Sequence, residues 1–370
     1  MGRRLTVVQL LPALESGGVE RSTLEITEAL VRAGHRALVV SKGGRLLPAL
    51  EAAGGEHVAL DIGAKSLATL GRVGALRRVL QDAEADIVHA RSRLPAWIAR
   101  LALRGMAPNR RPRWMTTVHG LNSPSRYSAV MASGERVICV SETVRSHVLG
   151  HYPATDPARL RVIPRGIDPA AFPRRVGLDH AGRARLAGQH PQLAGDGPLL
   201  LLPGRGTRLK GHADAIAVLA RVCASGLDAR LWMPGAQETG RGAYLAELLA
   251  EAARLGVADR VAMTPPTAAI AGAYAASDLV LQLSRKPEAF GRTVLEALSV
   301  GVPVAGWAHG GVGELLAEWQ PEGAVPAFDA EALATRVIAM LRRPPASPAT
   351  MPDSLKAMQD ATLAVYDELA

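Results

Sequence analysis

The feature that most constrains this chain is an alternation of short apolar runs with amphipathic stretches, broken once and then resumed. Buried strands are predicted at residues 5–11, 36–41, 87–90, 114–118 and 137–140. Helices are predicted between them, at 19–33, 45–53, 66–81, 94–103 and 141–149. Residues 164–198 then carry a dense run of Pro and Gly, from Pro164 and Gly166 to Gly197 and Pro198, which reads as a linker with an irregular helix. The alternation resumes with strands at 199–203, 229–233, 261–263, 279–283 and 302–305. The helices of this half fall at 212–225, 243–255, 267–275 and after Gly291. Strands alternating with helices imply parallel sheets covered on both faces. The expected class is therefore α/β, with two Rossmann-like domains facing across a cleft: residues 1–165, a linker at 166–198, and 199–350. A last helix near 353–369, within a segment 351–370, follows a Pro-rich break at 344–352 and is expected to pack back toward the N-terminal domain. In such sheets ligands bind beyond the carboxyl ends of the strands.

Bulk composition narrows the function classes. With 370 residues and 48% hydrophobic content, the chain can fill two ordinary domain cores. Its two cysteines, Cys139 and Cys223, lie in separate apolar runs and read as buried thiols in a reducing compartment. The first residues, MGRRLTVVQLLPALESGG, open like a signal peptide, but the short apolar run passes into Glu15 and is read as strand and loop. No run of about 18 uncharged apolar residues is present to cross a membrane. Residues 1–165 hold 24 Lys and Arg against 13 Asp and Glu, and the rest of the chain 19 against 21. The basic half suits an anionic partner such as a bilayer surface, a phosphorylated glycolipid or nucleic acid, although free use of Arg in a GC-rich genome gives the same excess. Aromatics at 4% supply few base-stacking platforms, which argues against nucleic acid.

Several motifs stand at expected strand ends. Glu288 and Glu296 lie eight positions apart with Gly291 between them, one in a loop and one on the helix that follows. Free N–H groups at that helix mouth suit a phosphate, and a carboxylate on either side suits hydroxyls, which is the layout of a nucleotide sugar. The run PGRGTRLKG at 203–211 puts Arg205, Arg208 and Lys210 on a flexible loop; it lacks the GK[ST] ending of a P-loop, but can hold a diphosphate without a metal. Gly17 and Gly18 open the first helix and fit a tight turn as well as an anion site. His119 ends a strand, where it either anchors a loop or faces a ligand; Ser141 suits an N-cap. Gly310, Gly311 and Gly313 again offer N–H groups near a helix start. No Cys/His cluster has zinc spacing and no Asp-x-Asp pair is placed to bridge a diphosphate, so no metal or other cofactor is expected.

Taken together and in order, GGVER at 17–21, VHG at 118–120, VSE at 140–142, VIPRGID at 162–168, GRGTRLKG at 204–211, EAFGRTVLEALSVGVPV at 288–304 and GGVGELL at 310–316 resemble a retaining glycosyltransferase of family four with the glycosyltransferase-B fold. The resemblance covers nearly the whole chain. It implies that Glu288 binds donor-sugar hydroxyls and Glu296 the ribose. It implies that Arg205 and Lys210 neutralise the diphosphate, and that the backbone of Phe290, Gly291, Arg292 and Thr293 contacts sugar and phosphate. His119 would lie near the sugar's primary hydroxyl, and Gly17 and Gly18 at the diphosphate and acceptor. Two departures are Arg292, where many members carry an apolar residue, and Arg165, where many carry Asn; both are expected at the donor. The stretches SRLPAWIARLALRGM and EAFGRTVLEAL are similar to bacterial lipopolysaccharide-core transferases.

Glycosidases place two carboxyls at the anomeric carbon. Here both are implied to bind donor hydroxyls, so same-face attack with the leaving diphosphate taking the acceptor's proton is expected. The substrate is then a nucleoside-diphosphate sugar, UDP-linked by resemblance, and the base is expected near 264–267. The acceptor is expected to be membrane-associated or phosphorylated, with Arg72, Arg77, Arg78, Arg91 and Arg93, and also Arg100 and Arg104, as contacts on a peripheral inner-membrane protein. The alternatives are an enzyme of the same fold with a soluble acceptor, a sugar-nucleotide epimerase, a pyridoxal-dependent phosphorylase, which nothing in the sequence supports, and a non-catalytic basic membrane or nucleic-acid binding module.

Overall fold

The computed structural model describes residues 3–15, 17–348, 351 and 354–370. Residues 349, 350, 352 and 353, where the Pro-rich break ends and the last helix was expected to start, lie outside the described residues. The chain forms two compact units, Met1–Gly166 with Ser354–Ala370, and Ile167–Asp353.

The first unit runs β1 (Thr6–Leu10), α1 (Gly18–Arg32), β2 (Arg36–Ser41), α2 (Leu47–Ala52), β3 (Glu56–Ala59), α3 (Val73–Asp82), β4 (Ile87–Ala90), α4 (Arg93–Arg104), β5 (Arg113–Val118), β6 (Arg136–Cys139), α5 (Glu142–His151) and β7 (Leu160–Val162). All seven strands pair in parallel, in the order β3-β2-β1-β4-β5-β6-β7. The central strands β1, β2, β4, β5 and β6 are buried on both faces because helices cover both sides, so they read as apolar runs without alternation. Leu5, Val7, Ile26, Leu30, Ile87, Met115 and Ile138 form the core with Met358, Val365 and Tyr366 from the far end of the chain.

The second unit holds α6 (His180–Gln189), β8 (Leu199–Leu201), α7 (His212–Ala224), β9 (Arg230–Pro234), α8 (Gly242–Arg254), β10 (Val261–Thr264), α9 (Ile270–Ala275), β11 (Leu279–Gln282), α10 (Arg292–Val300), β12 (Val304–Trp307), α11 (Gly310–Trp319), β13 (Ala324–Val325) and α12 (Ala330–Arg342). Its six parallel strands take the order β10-β9-β8-β11-β12-β13. In both units the first strand stands beside the second and the fourth, so the strand order reverses at the β1/β4 and β8/β11 pairs. Such switch points leave a crevice outside the carboxyl ends of the strands.

The last helix, α13 (Ser354–Asp367), belongs to the first unit. Arg32 donates to Gln359, whose amide donates to the Glu25 carbonyl, and Arg136 and Arg161 both grip Glu368.

The structure differs from the sequence reading in a few elements. The segment 66–81, expected as one helix, splits into a 3₁₀ stretch Leu67–Arg72, with Ser66 as its cap, and α3. The edge strands β3, β7 and β13 and the helix α12 were not predicted. Residues 167–198, read as a linker, form part of the second unit: Arg175 donates to the Ala275 and Ser277 carbonyls, and Arg183 pairs with Asp278, which also accepts from the Leu199 N–H. Pro and Gly density here marks irregular backbone bound to a core, not a free connector.

Candidate functional site

In the second unit, loops from the ends of β8, β11 and β12 converge on Glu288. Lys210, between β8 and α7, places Nζ 2.5 Å from Glu288 Oε1. Ser284, just past β11, donates its hydroxyl to the same oxygen. The Gly311 N–H, at the start of α11, donates to the Glu288 carbonyl at 2.8 Å, and His309 Nε2 lies 2.9 Å from the Ser284 carbonyl. Helices α7, α10 and α11 all start here, and none has a side-chain cap hydrogen bond. Uncapped helix starts with a positive dipole end form a receptor for anions.

Gly291 caps α10 with φ 102°, where a Cβ would lie 2.7 Å from Val312 Cγ2. The glycine therefore lets the β11–α10 loop close onto α11. Phe290 is buried, while Arg292 and Thr293 are half-buried in the first turn of α10. One turn further, Glu296 is 9% exposed and accepts from the Tyr274 hydroxyl at 2.9 Å. A carboxylate held that deep needs such donors, since burial without them disfavours its charge. Arg205 is exposed and makes no ion pair among the described residues; Arg208 instead pairs with Glu247 over the Tyr244 ring. At the β10 end, the Thr264 carbonyl accepts from the Gly235 and Gln237 N–H groups and its hydroxyl from Trp232 Nε1.

In the first unit, a cavity of about 370 Å³ opens at the β1/β4 switch point. It is lined by Pro12 after β1, Arg91, Ser92 and Arg93 after β4, Thr117 and His119 at the end of β5, and by Lys65, Asn122 and Tyr127. Among the described residues no carboxylate lines it. Arg91, expected as a surface contact, is only 3% exposed; it donates to Gln9 and to Ser22. Arg165, expected at the donor, is also buried and donates to the same Ser22 hydroxyl at 2.6 Å and to His119. Burial, with Arg165 and Arg91 beside it, holds the His119 pKa well below the usual imidazole range, so the ring is neutral. His89 is depressed likewise, by burial first and then by Arg91 and Arg165. Gly17 and Gly18 begin α1 without a side-chain cap, and a Cβ on Gly18 would meet no atom within 4 Å.

The other expected cations divide. Arg72, Arg78 and Arg104 are exposed, Arg93 donates to Ser128 and stacks over Tyr127, Arg100 is half-buried, and Arg77 is directed to the Ala102 carbonyl at the end of α4. Arg77 is therefore occupied by its own fold, because the carbonyls of a helix end attract a cation. The structure brings Lys210 and Glu288 together in one unit and His119, Arg91 and Arg165 together in the other. Sequence reading missed Ser284, His309, Tyr274, Ser22, Thr117 and Tyr366. His309, directly before the Gly310–Gly311 pair, was within reach of the motif; Tyr366, far along the chain, had no signal. Among the described residues no group of three or more His, Cys, Asp or Glu side chains is placed to hold a metal ion.

Residues 16–171 match the Glycosyltransferase Family 4 model and residues 188–356 the Glycosyl transferases group 1 model. The chain is 33% identical to D-inositol 3-phosphate glycosyltransferase of Segniliparus rotundus over 204 residues, 52% of this chain and 43% of that one. It thus spans less than half the length of that relative. Among solved structures it is similar to a glycosyltransferase from Rickettsia africae (TM-score 0.83, 25% identity, 100% of this chain and 99% of that one). Anabaena Alr3699/HepE in complex with UDP and glucose shares the fold (TM-score 0.80, 20% identity, 99% and 100% covered). So does WaaG, a glycosyltransferase involved in lipopolysaccharide biosynthesis (TM-score 0.67, 19% identity, 96% and 94% covered).

Proposed function

Residues 16–171 of this chain belong to Glycosyltransferase Family 4 and residues 188–356 to the Glycosyl transferases group 1, and from that premise we propose that it transfers a sugar from a nucleoside-diphosphate sugar to a phosphorylated or membrane-associated acceptor. The observation that carries this reading is the convergence of three loops, three uncapped helix starts and Lys210 on Glu288. In it, Lys210 and Arg205 neutralise the diphosphate, the first turn of α10 at Phe290–Thr293 lies against phosphate and sugar, Glu288 binds sugar hydroxyls, and Glu296 binds the ribose. The bond from the anomeric carbon to the diphosphate oxygen breaks as the acceptor oxygen bonds on the same face. The leaving diphosphate takes the acceptor's proton, so configuration is retained with no protein nucleophile and no metal. Charge then develops on the diphosphate, and preorganised cations there do the main catalytic work. UDP is the proposed nucleotide, supported by the UDP complex of the Anabaena protein.

The cavity of the first unit, lined by no carboxylate among the described residues, favours an acceptor bearing an oxyanion. Inositol phosphate, the acceptor class named for the Segniliparus relative, fits that chemistry, and so does the phosphorylated core of a lipopolysaccharide. A membrane-side location on the inner face is supported by Leu67 and Leu70, which are 86% and 52% exposed on a segment that also carries Lys65, Arg72 and Arg78. Among the described residues no helix is long and apolar enough to cross a membrane.

The donor reading is tested by thermal shift against a panel of nucleotide sugars. A UDP-sugar at 100 times its Kd should stabilise the fold by about 2.7 kcal/mol, and Glu296→Gln should reduce the shift. If no nucleoside-diphosphate sugar raises Tm, the reading fails.

A further inference from the structure

The last helix reaches the cavity of the first unit from inside the core. Tyr366, on α13, is 1% exposed, and its hydroxyl lies 2.7 Å from His89 Nδ1. His89, on β4, is fully buried, and its Nε2 lies 2.6 Å from Thr117 Oγ1. Thr117 lines the cavity. Arg91 hydrogen-bonds the same Tyr366 hydroxyl and is itself one of the residues that line the cavity.

Donor counting gives this chain of groups a direction. A guanidinium only donates, so it faces the lone pairs of the phenol oxygen, and the single phenol O–H turns to His89 Nδ1. His89 is neutral, because burial and the two arginines disfavour its charge. A neutral ring that accepts at Nδ1 carries its proton on Nε2 and donates to Thr117 Oγ1. With that lone pair engaged, the Thr117 O–H is left to donate elsewhere. His89 is its only hydrogen-bond partner among the described residues, and the cavity is the space it lines.

We propose that Tyr366 and His89 are positioning residues, contributed in part by the last helix, that set the Thr117 hydroxyl as a donor to an oxyanion seated beside Arg91. This rests on the acceptor reading above and assigns a specific donor within it. A ligand oxygen that cannot donate fits such a site, whereas a group that must donate meets Arg91 and a Thr proton already turned toward it.

Selective ¹⁵N labelling of histidine gives the first readout: His89 should show a protonated Nε2 and a bare Nδ1, and Tyr366→Phe should mix the two tautomers. Calorimetry with inorganic phosphate gives the second. Tyr366→Phe and Thr117→Val should each weaken phosphate about tenfold, and the double variant should be little worse than either single, because both break one chain of bonds. UDP affinity should not change. A protonated Nδ1 on His89, or Thr117→Val binding phosphate as the wild type does, overturns the relay alone. A wild type that binds no phosphate overturns the relay and the acceptor reading together.

Discussion

At the scale of single residues, the account turns on how Glu288 and Glu296 differ. Glu288 shares one oxygen between Lys210 and Ser284 in a loop, while Glu296 is held by Tyr274 within a helix. Their spacing and the intervening glycine were legible in the sequence. The Lys210–Glu288 ion pair was not, because the two lie 78 positions apart and only the sheet order brings the β8 and β11 ends together. Gly291 is the position where backbone geometry and site meet. Gly291→Ala puts a Cβ at left-handed φ and against Val312, so it should cost at least about 1 kcal/mol. That corresponds to a Tm lower by about 2–4 °C in a domain of this size, read by calorimetry, with weaker donor binding. An unchanged Tm would mean that the loop has room the structure does not show.

At the scale of elements, strands with long apolar runs were found and short edge strands were not. β3 carries Glu56 and His57 and β13 has two residues, so neither offers the apolar run that marks a buried central strand. The split of 66–81 falls between Gly71 and Gly74, whose low helix propensity disfavours one continuous helix there, while Ser66 caps the start of the 3₁₀ stretch. The helix α13 presents a pH-sensitive tether. Arg161 and Arg136 pull the Glu368 carboxyl down to about 2, from an ordinary value near 4.5. A carboxyl lowered in the folded state stabilises fully above its unfolded value, and that share is lost as pH falls from about 4.5 toward 2. Protection of the α13 amides against hydrogen exchange, taken relative to the intrinsic rate at each pH, should therefore fall over that window. Glu368→Gln should show faster exchange at neutral pH and a weaker acid step; an identical acid step in the variant would place the sensitivity elsewhere.

At the scale of the whole molecule, two α/β units with the same strand order each present a candidate site at the same topological point, one rich in hydrogen-bond donors around two carboxylates and one cationic with no carboxylate among the described residues. The alternation and the charge asymmetry made both units legible. The burial of Arg91 and Arg165 was not, since an Arg in sequence gives no sign of whether it faces solvent or core. The exposed Leu67 and Leu70 with their neighbouring cations predict salt-sensitive binding to vesicles containing anionic lipid, lost on Leu67→Asp/Leu70→Asp. Equal binding to neutral vesicles would argue against an electrostatic membrane role. The central claim is that Lys210 and Arg205 stabilise a departing diphosphate. It is tested most directly by steady-state release of UDP from a UDP-sugar that the wild type turns over, measured for Lys210→Ala and Arg205→Ala. Each variant should lose on the order of 10²–10³ in kcat, with the fold intact. Near wild-type turnover in both would contradict the account.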